Sequence, residues 1–283
     1  LLILISIISS SSGSNFSFEF IETKNPQLLS SSYIPNYTAG LTFFIAVAAT
    51  NLFHQGNWQR VYAAKNYQTL KSSLISSFFI ILPIVTLMGF IGMVSFSLDT
   101  NTRADLGFFT LLLKGQTELL SFMIIILGLS LTISTVDTLV NAISSLFVVD
   151  GKETINLGKK IDYLKISKYF IIMLSMIAFG IASKGFDILY LFLLADLFCC
   201  AFVITVFYSF YNNINEKTAY LSIITGLIAG FLMFPFPDFS KSFLVGVLLP
   251  TEIFSPIIEQ SLLFLSFMIA TFLPVIILKI KKI

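Results

Sequence analysis

Residues 119–150, LLSFMIIILGLSLTISTVDTLVNAISSLFVVD, constrain the fold more than any other stretch. The run is apolar and long enough to cross a bilayer as one helix, for which about 20 residues suffice. Its second half nevertheless carries Ser130, Ser134, Asp137, Thr138, Asn141, Ser144 and Ser145, mostly at steps of three or four. On a helix such spacing lines up one polar stripe. Hydroxyls with a carboxylate at membrane depth are costly unless they face protein, water or an ion. The same hydroxyls could instead bond their own i−4 carbonyls and pack helices closely, so both readings stand at this point.

Composition extends the membrane reading to the whole chain. Hydrophobic residues make up 56% and charged residues 11%, against roughly 25% charged in soluble domains. A polytopic membrane protein follows, with lipid as its surroundings. The net charge of +2 and the lack of a basic run interleaved with aromatics give no sign of a nucleic-acid partner. Cys199 and Cys200 are adjacent in an apolar run, a poor geometry for a disulfide, and read as small packing residues.

Seven full spans are expected, over 39–58, 72–96, 119–150, 169–183, 188–211, 218–233 and 258–278. Residues 1–8 read as the end of a further span, because the chain opens on Leu1 in an apolar run with no basic segment before it. The chain is therefore expected to belong to a longer protein. A short interfacial helix is expected over 61–70, a charged loop with Asp99, Arg103 and Asp105 over 97–116, and a candidate re-entrant connection over 235–256. Arg60, Lys65, Lys71, the five lysines between 152 and 168, Lys217 and the three C-terminal lysines fall on one side of the membrane. Lys24, Arg103, Lys114, Lys184 and Lys241 fall on the other, which assigns the C-terminus to the cytoplasm.

Three places could carry chemistry. Oxygens suit a hard cation such as sodium, and Ser134 and Thr135 with the Leu131 carbonyl one turn back could clamp one side of it. Asp137 and Asp196 are intramembrane acids on different spans, each able to serve a cation or a proton, or to bond a neighbouring helix. The string from Thr50 to Gln59 packs amide and imidazole side chains around Gly56, the pattern of a broken helix that binds solute with its freed backbone groups. A helix that merely ends at the interface would look similar. His54, the single histidine, suits a proton relay or a hydrogen-bonded packing role. Enzyme templates are missing: there is no H-E-x-x-H, no G-x-S-x-G and no Walker loop, so a non-enzyme is expected.

Two strings also resemble a known family. N-x-x-H-Q-G-N-W-Q-R-V-Y-A-A-K-N at 51–66 and S-T-V-D-T-L-V-N-A-I-S-S at 134–145 resemble segments of the sodium:solute symporters, relatives of the proline, pantothenate, urea and glucose cotransporters. The string L-F-L-L-A-D-L-F-C-C-A-F-V-I-T-V-F-Y at 191–208 is similar to their later core helix. The resemblance covers 39–211 and implies an all-α membrane bundle, the second half of an inverted-repeat core like that of leucine transporters, with additional C-terminal helices. The implied division is 1–38 as the end of a span and an extracellular loop, 39–211 as the second repeat, and 212–283 as the extra helices. It implies sodium held by the Leu131 carbonyl and the Ser134 and Thr135 hydroxyls, with further ligands from a first core helix upstream. A small polar solute would lie beside Thr50, Asn51, His54 and Gln55. The function so implied is sodium-coupled symport across the plasma membrane. A proton-coupled transporter of the same fold using Asp137 or Asp196 is one alternative. A receptor or channel-like subunit, whose stripe only glues helices, is the other.

Overall fold

In the computed structural model every regular element is a helix among the described residues, which are 18–98, 106–113, 116–155, 162–249, 258 and 261–280. In chain order these are α1 (Phe18–Lys24), a 3-10 turn (Pro26–Leu29), α2 (Ile34–Phe53), α3 (Gln55–Tyr62), α4 (Tyr67–Leu98), α5 (Gly107–Leu113), α6 (Glu118–Ile155), α7 (Tyr163–Ala182), α8 (Ile188–Tyr211), α9 (Glu216–Met233) and α10 (Leu262–Ile280). The expected partial span at 1–8 and the charged residues Asp99, Arg103 and Asp105 lie outside the described residues, as do 156–161 of the lysine-rich loop.

Five of these helices, α4, α6, α7, α8 and α10, are long and apolar enough to cross a membrane. The chain is a multi-pass membrane protein. Seven full spans were expected from sequence, and the other two are α2 and α9, with 20 and 18 residues. Pro35, Asn36 and Asn51 dilute the first, and Glu216 and Lys217 the second, so neither joins the five.

Helix boundaries differ from the sequence reading where a polar side chain caps an end. Asp162 accepts hydrogen bonds from the Leu164 and Lys165 amides, so α7 starts at Tyr163, six residues before its apolar run. Asn66 accepts from the Thr69 amide at 2.7 Å and opens α4 at Tyr67. The short helix expected over 61–70 is therefore displaced to Gln55–Tyr62, and the residues after it turn. Asp187 caps α8 through the Leu189 and Tyr190 amides, after a turn in which Gly185 takes a φ of 68°.

Contacts divide the chain into two compact units that do not follow chain order. One holds Gln55–Gly185 with the described part of Leu1–Leu29. The other holds Ser30–His54 with Phe186–Ile283.

In the first unit, α1 lays Ile21 against Ile91 and Val94 of α4 and Leu111 of α5. Polar bonds lock that end: Asn25 Nδ2 donates to Ser97 Oγ, and Ser95 Oγ donates to the Gly107 carbonyl at 2.9 Å. Helix α6 packs on α7, where Ser144 and Ser167 share a 2.8 Å hydrogen bond and Phe147 stacks on Phe170. Helix α3 also touches α6.

In the second unit, α8 packs against α2, α9 and α10. Ala46 and Ala49 of α2 meet Leu193, Leu197, Cys200 and Ala201 of α8, with Phe267 and Ala270 of α10 closing the core. Small residues let α9 approach α10: a Cβ on Gly226 would lie 2.7 Å from Pro274 Cγ and 2.9 Å from the Ala270 carbonyl oxygen. Ser266 Oγ donates to the Gly230 carbonyl at 2.7 Å across the same seam. After α9, the candidate re-entrant stretch is a folded loop as far as Leu249. Ser242 is fully buried, and its amide donates to the Val245 carbonyl.

Candidate functional site

The second unit brings together two residues that the sequence assigned to separate roles. Thr50, read as solute-binding, lies in the last turn of α2. Its Oγ1 donates a hydrogen bond to Oδ1 of Asp196, read as a cation or proton site on α8. Asp196 is 9% exposed, and among the described residues no basic group pairs with it. Such a carboxylate in an apolar span needs a proton, a cation or further donors to offset its lost hydration. Thr50 supplies one donor.

Asn51 and His54 sit on either side of the end of α2. The Asn51 amide donates back to the Val47 carbonyl at 2.8 Å. At His54 the backbone leaves helical geometry (φ −74°, ψ 105°), and a helix resumes at Gln55. The interruption therefore falls inside the string whose amides and glycine suggested a broken helix. His54 Nδ1 is buried and lacks a hydrogen-bond partner among the described residues. Gln55 belongs to the first unit.

The proposed sodium ligands Leu131, Ser134 and Thr135 all lie on α6 in the first unit. Their side chains are exposed, as is that of Asp137. Thr135 Oγ1 donates to the Leu131 carbonyl at 3.0 Å, and Thr138 Oγ1 donates to the Ser134 carbonyl at the same distance. Ser130 and Thr132 do likewise, to Ile126 and Gly128. Ser130 and Thr138 of the stripe, with Thr132 and Thr135 beside it, are thus closed on their own helix, one of the two readings that sequence left open. Each carbonyl retains a second lone pair and each hydroxyl an acceptor site. The three residues still offer cation ligands, but from one helix face, and a hard cation needs oxygens from more than one side. Among the described residues no cluster of three His, Cys, Asp or Glu side chains could hold a metal.

Sequence reading missed the cross-helix hydroxyl pair of Thr205 on α8 and Ser222 on α9, buried and 3.1 Å apart. It also missed Ser144 with Ser167. The available signal was a hydroxyl on each of two consecutive spans, which does not by itself specify a partner.

Comparison with protein-family models, curated proteins and solved structures finds no match to this chain.

Proposed function

We propose that the chain forms part of a sodium-coupled symporter that moves a small polar organic solute across the plasma membrane by alternating access, with its C-terminus in the cytoplasm and no enzymatic activity. The observation that carries this reading is the helix interruption at His54. It lies within the 51–66 string that resembles the sodium:solute symporters, and broken helices are where such folds bind solute. Thr50, Asn51, His54 and Gln55 line the solute side in this reading. The Leu131 carbonyl with the Ser134 and Thr135 hydroxyls holds sodium, completed by oxygens from another helix. Sodium binding there favours the outward-open state and so raises solute affinity. Rocking of the core against the surrounding helices then exposes both to the cytoplasm.

The test is uptake by the full-length protein in liposomes, screening labelled proline, pantothenate, urea and glucose with and without a sodium gradient. Ser134→Ala with Thr135→Ala is expected to abolish sodium-stimulated uptake. Unchanged sodium dependence in that double variant would reject the ion site.

A second reading, proton coupling on the same fold, is favoured by Asp196, whose buried carboxylate has Thr50 but no basic partner among the described residues. Uptake that follows pH and ignores replacement of sodium selects it.

A further inference from the structure

Threonine hydroxyls in these helices mostly turn back on their own backbone. Thr42, Thr86, Thr135, Thr138, Thr225 and Thr271 each donate to the carbonyl four residues earlier. A bond of this kind satisfies the hydroxyl and says nothing about where the helix sits. Thr50 breaks the pattern, because its hydroxyl crosses to Asp196 on α8. A bond to a carboxylate fixed on another helix sets both the height and the rotation of the helix that donates it. Asp196 is well placed to be that fixed point, flanked by the buried Leu193, Leu197 and Cys200 on a helix packed against three others. Below it, Ala46 and Ala49 bring the two backbones close, and the Cys200 thiol points to the Ile45 carbonyl at 3.8 Å. Apolar contact alone would let α2 slide or turn by a fraction of a residue. The directed bond at Thr50 removes that freedom four residues before the helix ends at His54.

We infer that Asp196 is a positioning residue: through Thr50 it fixes the terminal turn of α2, and with it the direction in which Asn51 and His54 are presented. This rests on the symporter reading of the site. The bond holds whether the carboxyl is ionised or protonated, since an oxygen accepts in both states. The inference is therefore independent of proton coupling. It also changes the role of Thr50, whose hydroxyl hydrogen is committed to Asp196 and not offered to solute.

Two measurements on the full-length protein in liposomes test it. The first needs no solute: hydrogen–deuterium exchange of the amides at 50–54. Thr50→Val, which keeps the volume and deletes the donor, is expected to speed exchange there about tenfold while α9 is unchanged; losing one intramolecular hydrogen bond has that order of effect. Asp196→Leu should do the same, and Thr50→Ser should restore slow exchange. The second measurement is sodium-driven uptake of whichever of proline, pantothenate, urea or glucose the unaltered protein carries. Thr50→Val is expected to raise the half-saturating concentration about tenfold with the maximal rate within about twofold, a misplaced site and not a broken cycle. Thr50→Ser should rescue it, and Thr50→Val with Asp196→Leu together should be no worse than either alone. Where Thr50→Val fails to fold, Asp196→Asn, which keeps an accepting oxygen, should give a smaller rise of the same kind.

Unchanged exchange at 50–54 would overturn the inference, as would a lost maximal rate with an unchanged half-saturating concentration. If the unaltered protein carries none of the four solutes, the symporter reading loses its support, while the exchange result still decides whether Asp196 holds α2.

Discussion

Both units hold hydroxyls of two kinds, but in different proportion: in the first Ser144 crosses to Ser167 while most hydroxyls of α6 turn back, and in the second Thr42, Thr225 and Thr271 turn back while several others cross between helices. In the first, Ser130, Thr132, Thr135 and Thr138 of α6 donate to carbonyls of α6 itself, and only 6% of the apolar window of that helix is buried. In the second, Thr50 crosses to α8, Thr205 pairs with Ser222, and Ser266 reaches Gly230. One third (33%) of the apolar window is buried in both α8 and α10. A hydroxyl in hydrocarbon takes the nearest acceptor, which is its own helix unless another backbone approaches within bonding distance. Small residues decide whether one does. The second unit places Gly226, Gly230, Ala46 and Ala49 at its contacts, though Gly40 is open. In the first, Gly107 and Gly128 meet a side chain, whereas Gly89 and Gly92 of α4 and Gly180 of α7 have nothing within 4 Å of a built Cβ. The larger core is therefore in the second unit; in the first, a smaller cluster gathers Ile21, Ile91, Val94 and Leu111, and only 6% of the apolar window is buried in each of α4, α6 and α7.

The sharpest way to break this comparison is to add side chains at the glycines. Gly226→Val drives a Cβ to 2.7 Å from Pro274 Cγ and 2.9 Å from the Ala270 carbonyl oxygen, and backbone cannot step aside cheaply. A loss of about 3 kcal/mol is expected, at the upper end of overpacking costs. Gly92→Val and Gly180→Val, with open space around them, should stay within about 0.5 kcal/mol. Equilibrium unfolding of the full-length protein in mild detergent checks all three. A large loss at Gly92 would show that this face of α4 is covered in the membrane, and the contrast between units would fall.

A smaller effect separates the two kinds of hydroxyl. Ser266→Ala deletes a buried bond across the α9–α10 seam, and about 0.6 kcal/mol is expected, the typical worth of an interhelical hydrogen bond in a membrane protein. Ser130→Ala deletes only an exposed bond within α6 and should be neutral in the same assay.

How much of this was legible in the sequence depends on the range of the signal. Apolar runs gave the helices, and Ile188–Tyr211 was read with the bounds it has, since the turn before it ends in a capping aspartate. The start of α7 was misread because its first turns, from Tyr163 to Lys168, are polar and only the cap at Asp162 marks them as helical. The polar cluster around Gly56 marks a candidate break, but the apolar pattern carries the span on to Trp58, and the helix ends five residues earlier, at Phe53. The bond from Thr50 to Asp196 was not legible, as 146 residues separate the partners and neither string names the other. For α6 the pattern showed the stripe but not its use, because back-bonding and ligation demand the same residues at the same spacing.

The smallest expected effect lies in the loop that closes the second unit. Asp238 accepts hydrogen bonds from the Ser240 hydroxyl at 2.6 Å and from the Ser240 amide at 3.3 Å. Ser240 holds its carboxyl below the ordinary carboxylate range, the hydroxyl contributing most. A lowered value means the folded loop prefers the ionised form. The bonds therefore favour the loop at every pH above the ordinary Asp value of about 3.9, and that help is lost as pH falls through the lowered one. Carboxyl carbon-13 NMR of the reconstituted protein should give Asp238 a midpoint below about 3.9, and Ser240→Ala should return most of the difference. Asp238 is exposed and solvent screens it, so overall stability should barely change. The effect should read out locally instead, at Phe239, whose backbone φ of 57° is unusual for a bulky residue and whose ring packs on Tyr190 of α8 at 5.8 Å. If acid releases the Asp238 bonds without disturbing the Phe239–Tyr190 contact, that contact, the Leu244 amide on the Leu232 carbonyl and the buried Ser242 and Val245 hold the loop to the second unit without help from Asp238.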